Sequence, residues 1–320
     1  MIGADYTRVV PYGQTARRLT WPFLPRPLRE YVERRLGGTV VDAQSQDAGF
    51  TPGFASVLTL DGGERFFLKA ANRKAQAAVA SAYAQEARTH TLLAGLVPAP
   101  ALLWWEPPRG EDGWVLLCFE AYDGHLPGRS WDVGELERAL DLAEDVAGRL
   151  HTLPDGLQLS PLVEEVPALV TSWSRVAAVF PERAHLEEAD DLAHSFAELP
   201  DQRFAHCDLR GDNILLADSG HGAVACDWTW PALAPAWVDM VVLLSSAYGD
   251  GIDVDPILAA RDLTRDVDPE SIDAWLAACC GYMTVAGGAP ARNSSPFLPR
   301  HAGWQAEAMW CWLSERRHWR

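Results

Sequence analysis

Phe204-Ala-His206-Cys-Asp208-Leu-Arg210-Gly-Asp212-Asn213-Ile-Leu-Leu216, followed by Ala225-Cys-Asp227-Trp228, decides how the rest of the chain is read. A short polar loop carrying His, Asp and Asn leads into an apolar run, and a second apolar run ends on an Asp. Phosphoryl transfer to a hydroxyl calls for such a set. One carboxylate takes the hydroxyl proton, while an amide oxygen and a second carboxylate hold Mg²⁺ against nucleotide phosphates. On that chemistry Asp208 is the expected base, and Asn213 and Asp227 are the expected metal ligands. Asp and Asn are also ordinary turn residues. Three residue types at one spacing, set between helices and a hairpin, weigh for chemistry over turn formation.

The neighbours of Asp208 are less decided. His206 either reaches a substrate or fixes the loop by packing and hydrogen bonding. Arg210 either steadies a phosphate or pairs with a nearby carboxylate. Asp212 caps a turn or touches metal. Upstream, Lys69 stands alone in the apolar run Phe66-Phe-Leu-Lys69-Ala. A lysine there needs a counter-charge or a phosphate, unless it lies at a strand end and snorkels to water. Glu86, on the next helical segment, is the natural partner. Between two strand-like runs lies Asp47-Ala-Gly49-Phe-Thr51-Pro-Gly53. Its backbone amides and small side chains suit an approach to phosphates, although Pro52 removes one amide donor.

Organisation along the chain follows from periodicity and punctuation. Residues 1–23 read as an irregular lead-in, and Pro27–Leu36 as a helix stopped by Gly37-Gly38. Val40–Gln46, Phe54–Leu60, Glu64–Ala70, Ala101–Trp105 and Trp114–Glu120 read as strands. Asp61-Gly-Gly63 marks a hairpin turn, and 107–113 a loop. Ala75–Leu96, Val133–Leu153, Val166–Phe180, Leu186–Leu199, Ala236–Ser246, Pro256–Leu263, Glu270–Met283 and Ala302–Ser314 read as helices. The expected domains are a lead-in at 1–23, a β-rich lobe at 24–122 and a helical lobe at 123–320, with a linker near 121–125.

His206-x-Asp208-Leu-Arg210-x-Asp212-Asn213, with Asp227-Trp in place of Asp-Phe-Gly, resembles the aminoglycoside phosphotransferase family of small-molecule kinases. The resemblance covers roughly residues 36–245. It implies an α+β, bilobal protein-kinase-like fold with a small β-rich N-lobe and a larger, mainly helical C-lobe. It further implies ATP or GTP with Mg²⁺, and a Lys69–Glu86 ion pair that positions the phosphates. The loop at Gly49, Thr51 and Gly53 would cover the nucleotide, with adenine contacts from the backbone of Glu120 and Tyr122. Asp239 would brace the catalytic loop. The segment from Asp227 to Asp239 has no room for a long activation loop, so the implied acceptor is a small-molecule hydroxyl.

Composition bounds the partners. The chain has 320 residues and a formal net charge of −17, which disfavours nucleic acid and anionic membrane. No Gly-x-x-x-x-Gly-Lys-Ser/Thr occurs, which disfavours a Walker-type NTPase. The N-terminus lacks a secretory pattern, and six cysteines without a Cys-x-x-Cys pair read as reduced thiols of a cytoplasmic protein. A monomer or weak homodimer is expected. Substrate choice is expected in 125–195 and in the C-terminal 75 residues. Asp250, Asp253, Asp255 and Asp273 there form either a polycation-binding face or solvated carboxylates. Three functions stay open. They are an antibiotic-modifying O-phosphotransferase, a metabolic kinase for a sugar or amino alcohol, and a catalytically silent nucleotide-binding or scaffold protein.

Overall fold

The computed structural model describes residues 9–11, 13–108, 113–200 and 202–319. Most of the loop expected at 107–113, the first eight residues and Arg320 fall outside the described residues. Helix α1 (Arg26–Leu36) carries Pro27 in its first turn and stops where Gly37 turns to φ 83°. Glycine takes that left-handed conformation without a Cβ penalty. Strands β1 (Val40–Ser45), β2 (Phe54–Leu60) and β3 (Arg65–Asn72) run to helix α2 (Ala77–Leu93), then to β4 (Leu102–Glu106) and β5 (Trp114–Glu120). The five strands form one antiparallel sheet in the order β1-β2-β3-β5-β4.

The apolar run of β5 is buried on both faces. Val115, Leu117 and Phe119 pack with Tyr83 and Ala87 of α2, while Leu116 and Cys118 pack with Val32 of α1. Alternation along one strand thus feeds two apolar layers, which is why the run reads as continuous rather than amphipathic. Lys69 sits on the central strand β3, between Ala55 of β2 and Leu117 of β5.

The remainder comprises β6 (Gly124–His125), α3 (Val133–Arg149), α4 (Leu162–Glu165), α5 (Ala168–Val179), α6 (Leu186–Phe196) and β7 (Arg203–Ala205). Then come β8 (Ile214–Ala217), β9 (Ala223–Ala225), β10 (Ala232–Ala234), α7 (Val238–Gly249), α8 (Asp255–Ala260), α9 (Pro269–Gly287) and α10 (Leu298–Arg316). The α+β, protein-kinase-like class expected from the sequence is the class observed. The large apolar cluster lies among the helices, around Trp173, Trp228, Leu244, Leu276 and Trp312. Leu93 and Val97 join it, so the end of α2 packs against the helical part rather than the sheet. A separate small cluster of Val10, Phe50 and Trp304 ties the lead-in and the 47–53 loop to α10.

Most helix boundaries differ from expectation by a few residues. Helix α3 ends at Arg149 rather than Leu153, and α10 begins at Leu298 rather than Ala302. Pro299 in the first turn of α10 is the start signal, since a proline there needs no amide partner.

Gly281, in the middle of α9, shows how tightly the helices pack. A Cβ at that position would lie 2.7 Å from Trp173 Nε1 and 3.0 Å from two ring carbons. The indole is 1% exposed, and its N–H donates to Ala277 O at 3.0 Å, so it has nowhere to go. Gly281→Ala gains up to about 1 kcal/mol of helix propensity. It loses about 1–3 kcal/mol to overpacking. Urea unfolding is expected to show a net loss of about 1–2 kcal/mol, as the overpacking term outweighs the propensity term.

Candidate active site

The polar loop from His206 to Asn213 hangs between β7 and β8, and Asp227 follows β9 by two residues. Two short pairings, β7 with β10 and β8 with β9, set both ends of this hairpin-like frame. Cys207 and Asp227 both adopt φ 62°, a left-handed conformation that non-glycine residues hold only where surroundings enforce it. At Cys207 the enforcing group is Asp239 of α7. Its carboxylate accepts the backbone N–H of His206 at 2.7 Å and of Cys207 at 2.9 Å. His206 is fully buried against Trp228, with ring centroids 4.6 Å apart. Its Nε2 meets Cys226 O at 3.0 Å, and its Nδ1 accepts the Asp208 N–H at 3.3 Å. Both ring nitrogens are therefore spent inside the loop, and His206 offers nothing to a substrate. These contacts fit the loop-fixing alternative for His206 rather than a substrate contact.

Asp208 and Asn213 meet directly. The Asn213 amide N–H₂ donates to Asp208 O at 2.8 Å and Asp208 Oδ2 at 3.0 Å, leaving its own oxygen free. Arg210 Nε lies 3.2 Å from Asp208 Oδ1, and Arg210 Nη2 lies 3.3 Å from Asp212 Oδ2. Arg210 also faces His301 of α10 and the Phe50 ring. Burial pushes the Asp208 carboxyl up to about 7, against the lowering pull of Arg210 and with support from the charges of Asp227 and Asp212.

Lys69 Nζ reaches both Glu86 oxygens, at 2.7 and 2.8 Å, and lies 3.8 Å from Asp227 Oδ1. Burial opposes its charge, but Asp227 and Glu86 together hold its pKa above the ordinary lysine value. Glu86, almost fully buried, is pushed up to about 7 by burial and by Asp227, which outweigh Lys69. Asp227 resists its own burial because Lys69 and the Thr229 hydroxyl hold its pKa down. The donor set for a cation is thus one ionised carboxylate and one free amide oxygen. Two hard oxygens suit Mg²⁺, which keeps waters and takes phosphates as its other ligands. Among the described residues no group of three or more His, Cys, Asp and Glu side chains could hold a metal, so no zinc-type cluster competes.

The 47–53 loop lies closed over the catalytic loop. Gly49 O accepts from Thr15 Oγ1 at 2.6 Å and Arg18 Nη2 at 2.7 Å, and Phe50 O accepts from Ser295 Oγ at 2.6 Å. Ala48 O accepts from Arg129 at 3.1 Å. A Cβ on Gly49 would lie 3.8 Å from Asp212 Oδ2, so loop meets loop. Gly53 is pressed onto Tyr83, whose hydroxyl would clash with an added Cβ. Thr51 is half-buried within the same loop. At the other end of the sheet, Glu120 exchanges hydrogen bonds with Ala101, its Oε1 accepting at 2.9 Å and its N–H donating at 3.0 Å. Its side chain is committed, and Tyr122 beside it is half-buried.

Behind the catalytic loop a cavity of about 60 Å³ opens, room for some four to six waters, lined by Arg129, Trp131, Asp212, Asp250, Trp304 and Gln305. Asp250 Oδ2 accepts the Trp131 N–H at 2.9 Å. The acidic face considered for 250–273 is not assembled. Arg316 takes Asp273 at 2.6 Å and Asp255 at 3.3 Å, so the basic tail neutralises it. Arg18, Phe50, Trp131 and His301 escaped sequence reading, since no motif or period marks them and their neighbours lie far away in the chain.

The model of a phosphotransferase enzyme family, APH, matches residues 51–275. Among solved structures, spectinomycin phosphotransferase APH(9)-Ia in complex with ADP and spectinomycin is 12% identical, with a TM-score of 0.60 over 92% of this chain and 99% of that one. The GDP and kanamycin complex of APH(2")-IIia is 18% identical, with a TM-score of 0.58 over 91% and 98%. Macrolide 2'-phosphotransferase MphH from Brachybacterium faecium is 16% identical, with a TM-score of 0.53 over 85% and 96%. At such identities these likenesses speak for the fold. No curated protein matches the sequence. The family model spans well over half of the chain, and the chain belongs to the phosphotransferase enzyme family.

Proposed function

We propose that the protein transfers the γ-phosphate of ATP, or of GTP, to a hydroxyl of a small molecule. The observation that carries this reading is the convergence of Asp208, Asn213 and Asp227, with the Lys69–Glu86 pair 3.8 Å from Asp227. Asp208 takes the proton of the acceptor hydroxyl, and Arg210 holds its carboxylate in place while remaining close to the transferred group. Asn213 and Asp227 are the residues that would hold Mg²⁺. Bound there, the ion neutralises charge on the β- and γ-phosphates. Lys69, oriented by Glu86, contacts the phosphates from the opposite side. Gly49, Thr51 and Gly53 cover them with backbone, and the backbone of Glu120 and Tyr122 meets the nucleobase. In this reading residues 24–122 and 123–320 are the two working lobes.

The relatives' substrates make antibiotics the first acceptors to try. A second reading, a sugar or amino alcohol with one positive charge or none, draws support from the pairing of Asp255 and Asp273 with Arg316, which takes two carboxylates out of a polycation-binding face. A phosphotransfer screen over aminoglycosides, macrolides, nucleosides, sugars and amino alcohols, with labelled ATP and GTP, tests both. Product on at least one hydroxyl is expected. Reaction confined to polycationic amino sugars would overturn the second reading. Failure of Mg·ATP and Mg·GTP to raise the melting temperature would favour a catalytically silent protein.

A further inference from the structure

Arg18 belongs to the lead-in, outside the family match and outside every motif in the chain. The segment around it is stapled to the 47–53 loop. The N–H of Thr15 donates to Asp47 O at 3.2 Å, and its hydroxyl lies within 2.7 Å of Asp47 O and 2.6 Å of Gly49 O. On the other side, Arg17 N–H donates to Ser294 O at 2.8 Å. Arg18 uses one nitrogen, Nη2, for Gly49 O at 2.7 Å. Its Nε and Nη1 are buried and have no hydrogen-bond partner among the described residues.

A latch explains only the first of these nitrogens. A planar guanidinium enclosed with two N–H groups unpaired is costly, and proteins rarely keep such an arrangement without a ligand to complete it. Asp47 and Asp212 act on Arg18 through their charge, yet no carboxylate among the described residues comes within ion-pair distance. The location narrows the ligand. Gly49 lies between Arg18 and Asp212, at 3.6 and 3.8 Å from a Cβ built on it. The charges of Lys69, Asp227 and Arg18 all act on Tyr83, and Lys69 Nζ is 5.4 Å from its ring. Arg18 therefore shares the space between the covering loop and the catalytic loop with the phosphate-side residues. Nε and Nη1 lie on different edges of the guanidinium, flanking the Nη2 that Gly49 O takes, so each offers its own charge-assisted N–H to a phosphate oxygen.

We propose that Arg18, with its Nε and Nη1 unpaired beneath the 47–53 loop, binds the terminal phosphate of the nucleoside triphosphate. This rests on the functional reading above. The lead-in thus senses which nucleotide is bound. With triphosphate present, one guanidinium grips both the loop, through Gly49, and the group about to be transferred. With diphosphate present, only the Gly49 bond remains.

Arg18→Gln and Arg18→Lys are compared with Thr15→Val, which weakens the staple and leaves the guanidinium intact. Kd values for Mg·ATP, Mg·GTP and the corresponding diphosphates are measured by calorimetry, with melting curves to establish folding. Loss of a charge-assisted contact is expected to weaken triphosphate binding by about 10- to 100-fold in Arg18→Gln. Diphosphate binding is expected to change by less than about 3-fold, and Arg18→Lys to fall between wild type and Arg18→Gln. Thr15→Val is expected to shift both nucleotides equally. Equal weakening of both by Arg18→Gln, or none, overturns the role of Arg18 while leaving the phosphotransferase reading intact. Should the wild type bind neither triphosphate, both ideas fall together.

Discussion

Asp208→Asn is expected to lower kcat for phosphoryl transfer by about 10²- to 10⁴-fold, the usual worth of a positioned general base. Nucleotide affinity is expected to stay within a few-fold of wild type, because Lys69, Asn213 and Asp227 remain. Folding is expected to respond in the opposite direction. Burial lifts the Asp208 carboxyl from 3.8 to about 7. Its contribution to stability is thus present while the group is neutral and is lost as pH rises through about 7. In metal-free buffer at pH 8 the Asn variant should melt at or above the wild-type temperature, and the gap should close as pH falls towards about 4. Rapid single-turnover transfer by Asp208→Asn would remove the base assignment. A variant that melts well below wild type at pH 8 would contradict the electrostatic account.

The second large effect belongs to a residue that touches no substrate. Asp239→Ala strips the acceptor from the buried N–H groups of His206 and Cys207, in a loop that already holds Cys207 at φ 62°. Orphaned buried donors and a lost charged partner put the expected loss at about 3–5 kcal/mol in chemical denaturation. Activity should fall with it even where the protein is still folded, since the peptide leading into Asp208 is no longer held. Asp239→Asn, which keeps one acceptor oxygen, should lose less of both. A loss below about 1 kcal/mol for the Ala variant would mean that water replaces the carboxylate at these amides.

The parts of the site that could be read in advance are those whose physics is local. Lys69 in an apolar run demanded a partner, and the structure supplies Glu86 at 2.7 Å. Strands β2 and β5 begin and end where alternation and turn residues put them. Other features depend on distant contacts and leave no trace in a window of sequence. His206 looked like a possible substrate contact until Trp228 and the Cys226 carbonyl closed around it. The three-residue strands β7 and β10 are too short to show a period, yet their pairing frames the catalytic loop. Asp255 and Asp273 looked available until Arg316, more than forty residues on from Asp273, came back to them.

The fastening of the 47–53 loop has a bearing on how this enzyme could be trimmed. Its carbonyls are held by Thr15 and Arg18 from the beginning of the chain, by Arg129, and by Ser295 from near the end. The region shared with the family, 51–275, contains the acid, amide and lysine groups of the site but just one of those four anchors. A protein cut back to the shared region would keep those groups but lose residues 47–50 of the loop together with three of its four anchors. The reacting groups and the means of closing over them lie in separate stretches of this sequence, and the latter is written at its two margins.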